Sequence, residues 1–92
     1  MGKLVNIGYG NVVNSDKIVS VINPDSAPIK RLIQAAKENG TSVDATQGRR
    51  TKSIVITDSG HVILSALLPE TIAERVEGKP GQFKEKDDEN EK

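Results

Sequence analysis

Ninety-two residues without cysteine, 35% of them apolar, with thirteen basic and thirteen acidic side chains, describe a single small domain. Such a chain buries only a modest share of its surface by itself, and a partner subunit would help. The composition excludes disulfide and thiolate chemistry, speaks against a protein that coats nucleic acid through bulk charge, and offers no apolar run near the roughly 18 residues of a membrane span.

The opening MGKLVNIGYGNVV is broken by glycine and asparagine before a signal-like apolar stretch develops, so a cytoplasmic location is expected, with neither secretion nor anchoring. From there to Pro24, short β-branched groups alternate with Gly, Asn and Asp, which predicts strands over residues 3–7, 11–13 and 18–22. PDSAPIKRLIQAAKENG then reads as a helix, with Asp25 or Ser26 as N-cap, Pro28 in the first turn and Gly40 as a left-handed stop. Ile29, Leu32, Ile33 and Ala36 fall at i, i+3, i+4 and i+7 and give it one apolar face, while Lys30, Arg31, Lys37 and Glu38 point elsewhere. In this setting Asn-Gly-Thr at residues 39–41 is a helix stop rather than a glycosylation sequon.

After the helix, TSVDAT predicts a short strand, QGRR a turn, TKSIVIT a strand, DSG a tight turn and HVILSALL the returning strand of a β-hairpin. Pro69 and ETIAERVEG give a short helix with proline at its first position, Ile72 and Val76 on one side, and Gly78 after its end. The predicted class is therefore α+β, a small mostly antiparallel sheet with one main helix and one short C-terminal helix, and no helix–strand repeat long enough for a Rossmann unit. From Lys79 onward four lysines and five acids sit in a Pro, Gly and Glu-rich stretch that can bury almost nothing. The domain is accordingly placed at residues 1–78 and a disordered charged tail at 79–92.

Three short motifs could carry chemistry. GYGNVV has two glycines of a dinucleotide fingerprint but lacks the third, along with the preceding strand and following helix, so it reads as a turn that needs positive φ. TDSGH brings Asp58, Ser59 and His61 close in sequence, yet a hydrolytic triad is assembled in space and Asp-Ser-Gly is ordinary hairpin chemistry. A lone histidine without cysteine also leaves a zinc site short of ligands, so no enzyme activity, metal or cofactor is expected.

DATQGRRTKSIVI is different. It places Arg49, Arg50 and Lys52 within four positions of one turn, with no acidic residue until Asp58. Arginine offers a planar fork of donors suited to phosphate and to the guanine edge, and a turn can present two forks on one surface. Only Tyr9 and Phe83 supply aromatic rings, too few for a single-strand stacking platform, so duplex DNA is the nucleic acid that fits.

In order along the chain, NIGYGN, SAPIKR, DATQGRRTKSIVI, DSGHVILSA and PET also resemble the RemA family of small bacterial regulators, extracellular matrix regulatory protein A, from about Leu4 to Arg75. The resemblance implies a cytoplasmic transcription activator of the kind associated with biofilm matrix operons, with a LytTR-like DNA-binding fold and no helix-turn-helix. It implies a homo-oligomeric ring that bends duplex DNA around a basic rim. The family's paired arginines fall on Arg49 and Arg50, and a basic residue at the end of the first hairpin falls on Lys17, where related chains commonly carry arginine. Lysine there keeps a point-charge contact to phosphate and loses a bidentate one. A ring repeats one small cationic turn at every subunit, so local charge outweighs a net charge of zero.

The expected function is thus a homo-oligomeric DNA-binding regulator contacting DNA through Arg49 and Arg50, supported by Lys17 and Lys52, with duplex DNA and copies of itself as partners and no membrane or small-molecule substrate. The competing reading is a structural or protein-interaction ring in which the arginines pair with Asp44, Glu74 or Glu77 of a neighbour.

Overall fold

The computed structural model describes residues 3–78, and the charged segment 79–92, expected to be disordered, lies outside them. The chain runs β1 (Leu4–Gly8), β2 (Asn11–Asn14), a single 3₁₀ turn (Ser15–Lys17), β3 (Ile18–Ile22), α1 (Ala27–Asn39), β4 (Ser42–Asp44), β5 (Ser53–Thr57), β6 (Val62–Ser65) and α2 (Pro69–Glu77). This is the expected α+β content, but the strands form two sheets rather than one. β1 and β2 make an antiparallel hairpin, while the other four strands lie in the order β3-β5-β6-β4. β4 joins the edge of that sheet parallel to β6, whereas the remaining pairings are antiparallel.

Helix ends follow the local chemistry. Ser26, not Asp25, caps α1: its Oγ accepts from the Ile29 N–H at 3.3 Å, and Gly40 closes the helix at φ 76°. Pro69 opens α2 and Gly78 ends it at φ 75°.

The central strands are sandwiched. On β5 and β6, Ile54, Val62 and Leu64 point to one face and pack with Ala36, Ile29 and Ile33 of α1. Val55 and Ile63 point to the other and meet Val5, Ile7, Leu67 and Ile72 beneath the β1–β2 hairpin and α2. Burial on both faces explains the near-continuous apolar reading of IVI and VIL, a pattern of central strands. Of the four apolar positions expected to dock α1, Ile29, Ile33 and Ala36 pack on the sheet while Leu32 stays 37% exposed. The returning strand also ends earlier than HVILSALL suggested. At Ser65 the chain leaves the ladder, and its Oγ takes over, donating to the Ile7 carbonyl at 2.7 Å and accepting from the Leu67 N–H at 3.1 Å.

β6 lies between β4 and β5, so residues 45–52 must arch over its end to connect those two strands. Both feet of the arch are pinned to β6, by Ala45 N–H to the Leu64 carbonyl at 2.9 Å and Lys52 N–H to the Ser65 carbonyl at 2.8 Å. The cationic turn is the crown of this arch.

Candidate functional site

The arch is shaped by short-range hydrogen bonds. Asp44 Oδ1 accepts from the Thr46 N–H at 2.9 Å and from its hydroxyl at 2.6 Å, which turns the chain sharply at the end of β4. The Arg49 N–H then donates to the Thr46 carbonyl at 2.9 Å, with Gln47 at φ 55° and Gly48 at φ 79° between them. Positive φ at both central residues is the pattern of a type I′ turn, the tight turn that glycine best accommodates. Arg49 and Arg50 follow it directly, and both are exposed.

The two arginines stand in different surroundings. Arg49 extends over Tyr9 at the tip of the β1–β2 hairpin, its guanidinium carbon 5.7 Å from the ring centroid. Arg50 lines an open groove with Thr51, Lys52, Leu68 and the Asn23–Pro24–Asp25 turn that leads into α1. Asn23 Oδ1 accepts from the Asp25 N–H at 2.9 Å and fixes that turn. Two exposed guanidinium forks and a half-buried lysine side by side on a rigid arch can take two neighbouring anionic oxygens at once, as phosphates of a nucleic-acid backbone present them.

Lys17 is elsewhere. It closes the 3₁₀ turn before β3, its carbonyl accepts from the Asp58 N–H at 2.8 Å, and its Nζ lies 3.9 Å from Asp58 Oδ2. Asp58 follows β5 whereas Lys52 precedes it, so the six residue steps from one to the other, at about 3.3 Å each, put about 20 Å between their backbones. The structure gathers Arg49, Arg50 and Lys52 at one end of the sheet and leaves Lys17 at the other.

At Lys17's end the TDSGH turn does form a contact. Ser59 Oγ lies 2.8 Å from His61 Nδ1 and 3.0 Å from Thr57 Oγ1, while Asp58 faces Lys17 instead of the imidazole. The three side chains do not fall into the order of a nucleophile–base–orienter relay.

Asp44 supplies a pH handle on the arch. The Thr46 hydroxyl first and the Thr46 N–H second hold its carboxyl below the usual aspartate range, against an opposing effect of burial and with the smallest contribution from the Lys37 charge. A pKa depressed in the folded state stabilises the fold above the unfolded value of about 3.9, and that contribution is lost as pH falls through the folded value. Asp44→Asn should therefore be less stable than the wild type at pH 7, and the difference should shrink on going well below about pH 4. Urea unfolding at both pH values measures it, and a difference that does not change with pH would refute the assignment.

The sequence pointed to the arginine turn but not to its support. Tyr9 stood out only as one of two aromatic residues, Asp25 only as a candidate N-cap, and Asn23 not at all. The signal available was a bulky aromatic between two glycines, where small residues usually suffice.

The fold and site define a small α+β domain that presents a two-arginine arch from the end of a buried sheet. The model of the RemA-like family, described as extracellular matrix regulatory protein A-like, matches residues 4–76. A protein of Acetivibrio thermocellus named as a candidate regulatory protein is 55% identical over 89 residues, which is 97% of this chain and 96% of its own. One of the same name from Clostridium beijerinckii is 53% identical over 87 residues, covering 95% of this chain and 97% of the relative. A third, from Caldicellulosiruptor saccharolyticus, is 60% identical over 74 residues, 80% of this chain and 73% of the relative. The chain belongs to the RemA-like family.

Proposed function

We propose that this chain is a cytoplasmic DNA-binding transcription regulator, activator-like and not an enzyme, which works as a homo-oligomeric ring holding and bending duplex DNA along a rim built from Arg49 and Arg50. Membership in the RemA-like family and the regulatory names of its relatives support a regulatory role. The observation that carries the DNA reading is the pair of adjacent exposed arginines projected from a hydrogen-bonded arch. Lys52 adds charge beside them. Lys17, at the far end of the sheet, contributes a separate phosphate contact or approaches the arch of a neighbouring subunit. Backbone contacts repeated around a ring select DNA partly by its deformability, so weak, repeated target sites suit this mode.

Unpaired apolar surface supports assembly. Leu4 is 71% exposed, Val12 54% and Val19 65%, more than a domain with so thin a core leaves open without a partner to cover it. The competing interaction-module reading is weakened at one of its three acids, because Glu74 is buried within its own chain.

The test is a titration of labelled promoter and random duplex against the protein at rising salt, with sedimentation in parallel. Affinity should fall linearly on a log–log plot with a slope of about −0.9 per phosphate neutralised, while oligomer mass holds constant. An oligomer that binds neither duplex at low salt would overturn DNA binding and favour the interaction module. A monomer at micromolar concentration would overturn the ring.

A further inference from the structure

The GYGN tip of the first hairpin has no part in the function proposed above, and it is the most strained turn near the arch. Gly8, Tyr9 and Gly10 all have positive φ, at 113°, 54° and 82°. Glycine adopts that region freely, but a bulky aromatic meets a steric penalty there, so the turn would form more easily with glycine or asparagine at the middle position. The tip is also fastened. Asn11 Nδ2 donates to the Gly8 carbonyl at 2.9 Å and reaches the Ala45 carbonyl, at the foot of the arch, at 3.5 Å. Gly8 is packed so closely on Leu67 that a Cβ would sit 3.4 Å from its Cγ.

The hydroxyl does not account for tyrosine in this position. It is buried and makes no hydrogen bond among the described residues, an arrangement that costs stability. The ring does account for it, because the Arg49 guanidinium lies over its face within the roughly 6 Å at which cation–π attraction operates. Without that ring, an exposed arginine at the crown of the arch would sample many rotamers and lose that freedom on meeting a phosphate.

We propose that Tyr9 is a positioning residue for Arg49: the GYGN tip is a platform that preorients one of the two guanidinium forks for the DNA backbone. The inference rests on the DNA reading of Arg49. It acts through the ring and not through the hydroxyl.

The experiment compares Tyr9→Phe, Tyr9→Leu, Arg49→Ala and the Tyr9→Leu/Arg49→Ala double variant in the full chain, reading affinity for a labelled random duplex at low salt together with the thermal midpoint. Tyr9→Phe should bind within about twofold of the wild type, with an equal or higher midpoint, since it keeps the ring and removes an unpaired buried hydroxyl. Tyr9→Leu should weaken binding by about three- to fivefold, and should weaken it no further once Arg49 is alanine. A Tyr9→Leu variant that binds normally, or whose loss persists in full beside Arg49→Ala, overturns the platform while leaving the DNA reading intact. Equal losses in Tyr9→Phe and Tyr9→Leu overturn it by assigning the effect to the hydroxyl. If Arg49→Ala itself binds normally, the DNA reading of that arginine fails first and takes the platform with it. Should Tyr9→Leu not fold, proton NMR of the wild type decides the matter: ring current should displace the Arg49 Nε–H upfield of that of the exposed Arg31, and coincidence of the two resonances overturns the stacking.

Discussion

Replacing Arg49 and Arg50 together by alanine is expected to weaken binding of duplex DNA by about a hundredfold or more, because each subunit of the proposed ring would lose both of its forks and the losses would multiply along the rim. Folding should hardly notice. Both side chains are exposed, the arch is pinned through backbone groups of Ala45, Arg49 and Lys52, and exposed charges contribute about 0–1 kcal/mol to stability. Gel shift, thermal unfolding and sedimentation on one preparation separate the outcomes. Lysine at both positions should restore part of the affinity if the contacts are single phosphates, and little of it if bidentate forks matter. Lys17→Ala should cost less than either arginine, since it sits at the far end of β5 from the arch and its Nζ lies beside Asp58. A double alanine variant that binds DNA normally defeats the proposed rim, and one that dissociates would move the arginines into a subunit interface.

The largest effect on folding is expected at Ser65. Its side chain is fully buried, and one hydroxyl serves the Ile7 carbonyl and the Leu67 N–H together, joining the first hairpin to the central sheet. Ser65→Ala changes shape very little and leaves both backbone groups without that partner in the interior. At about 1–3 kcal/mol for each buried group so stranded, the variant should lose about 2–4 kcal/mol, which is about 10–20 °C in thermal midpoint for a domain of this size. Ser59→Ala in the exposed β5–β6 turn is the control, and it should stay within about 0.5 kcal/mol. A Ser65→Ala variant as stable as that control would show that this hydroxyl does not hold the hairpin to the sheet.

Much of the fold was readable because its punctuation is local. Ser26, Pro28 and Gly40 bound the main helix through capping chemistry that acts over a few residues, and Asp-Ser-Gly marks the β5–β6 hairpin in the same way. The parallel pairing of β4 with β6 joins residues twenty apart with no turn signal between them, so nothing local announces it. The exposure of Leu32 depends on what the tertiary structure sets opposite it, which helical periodicity does not contain. The site divides along the same line. Arg49, Arg50 and Lys52 are neighbours in sequence and were visible as a cluster, whereas the contact of Tyr9 with Arg49 spans forty positions. The distance of Lys17 from the arch follows from strand order alone.

The arch over β6 also sets a timetable. Among the described strands β4 has no sheet partner except β6, and β6 is the last of them to leave the ribosome. Until it inserts, the carbonyls of Leu64 and Ser65 that anchor the arch are missing, and residues 45–52 are an untethered connector. The arginines therefore acquire their geometry only with β6 in place, and an incomplete or clipped chain that lacks β6 carries the same charges without the backbone anchors that shape the arch. The shape of the arch is in this way conditional on a complete sheet, through the order of the strands.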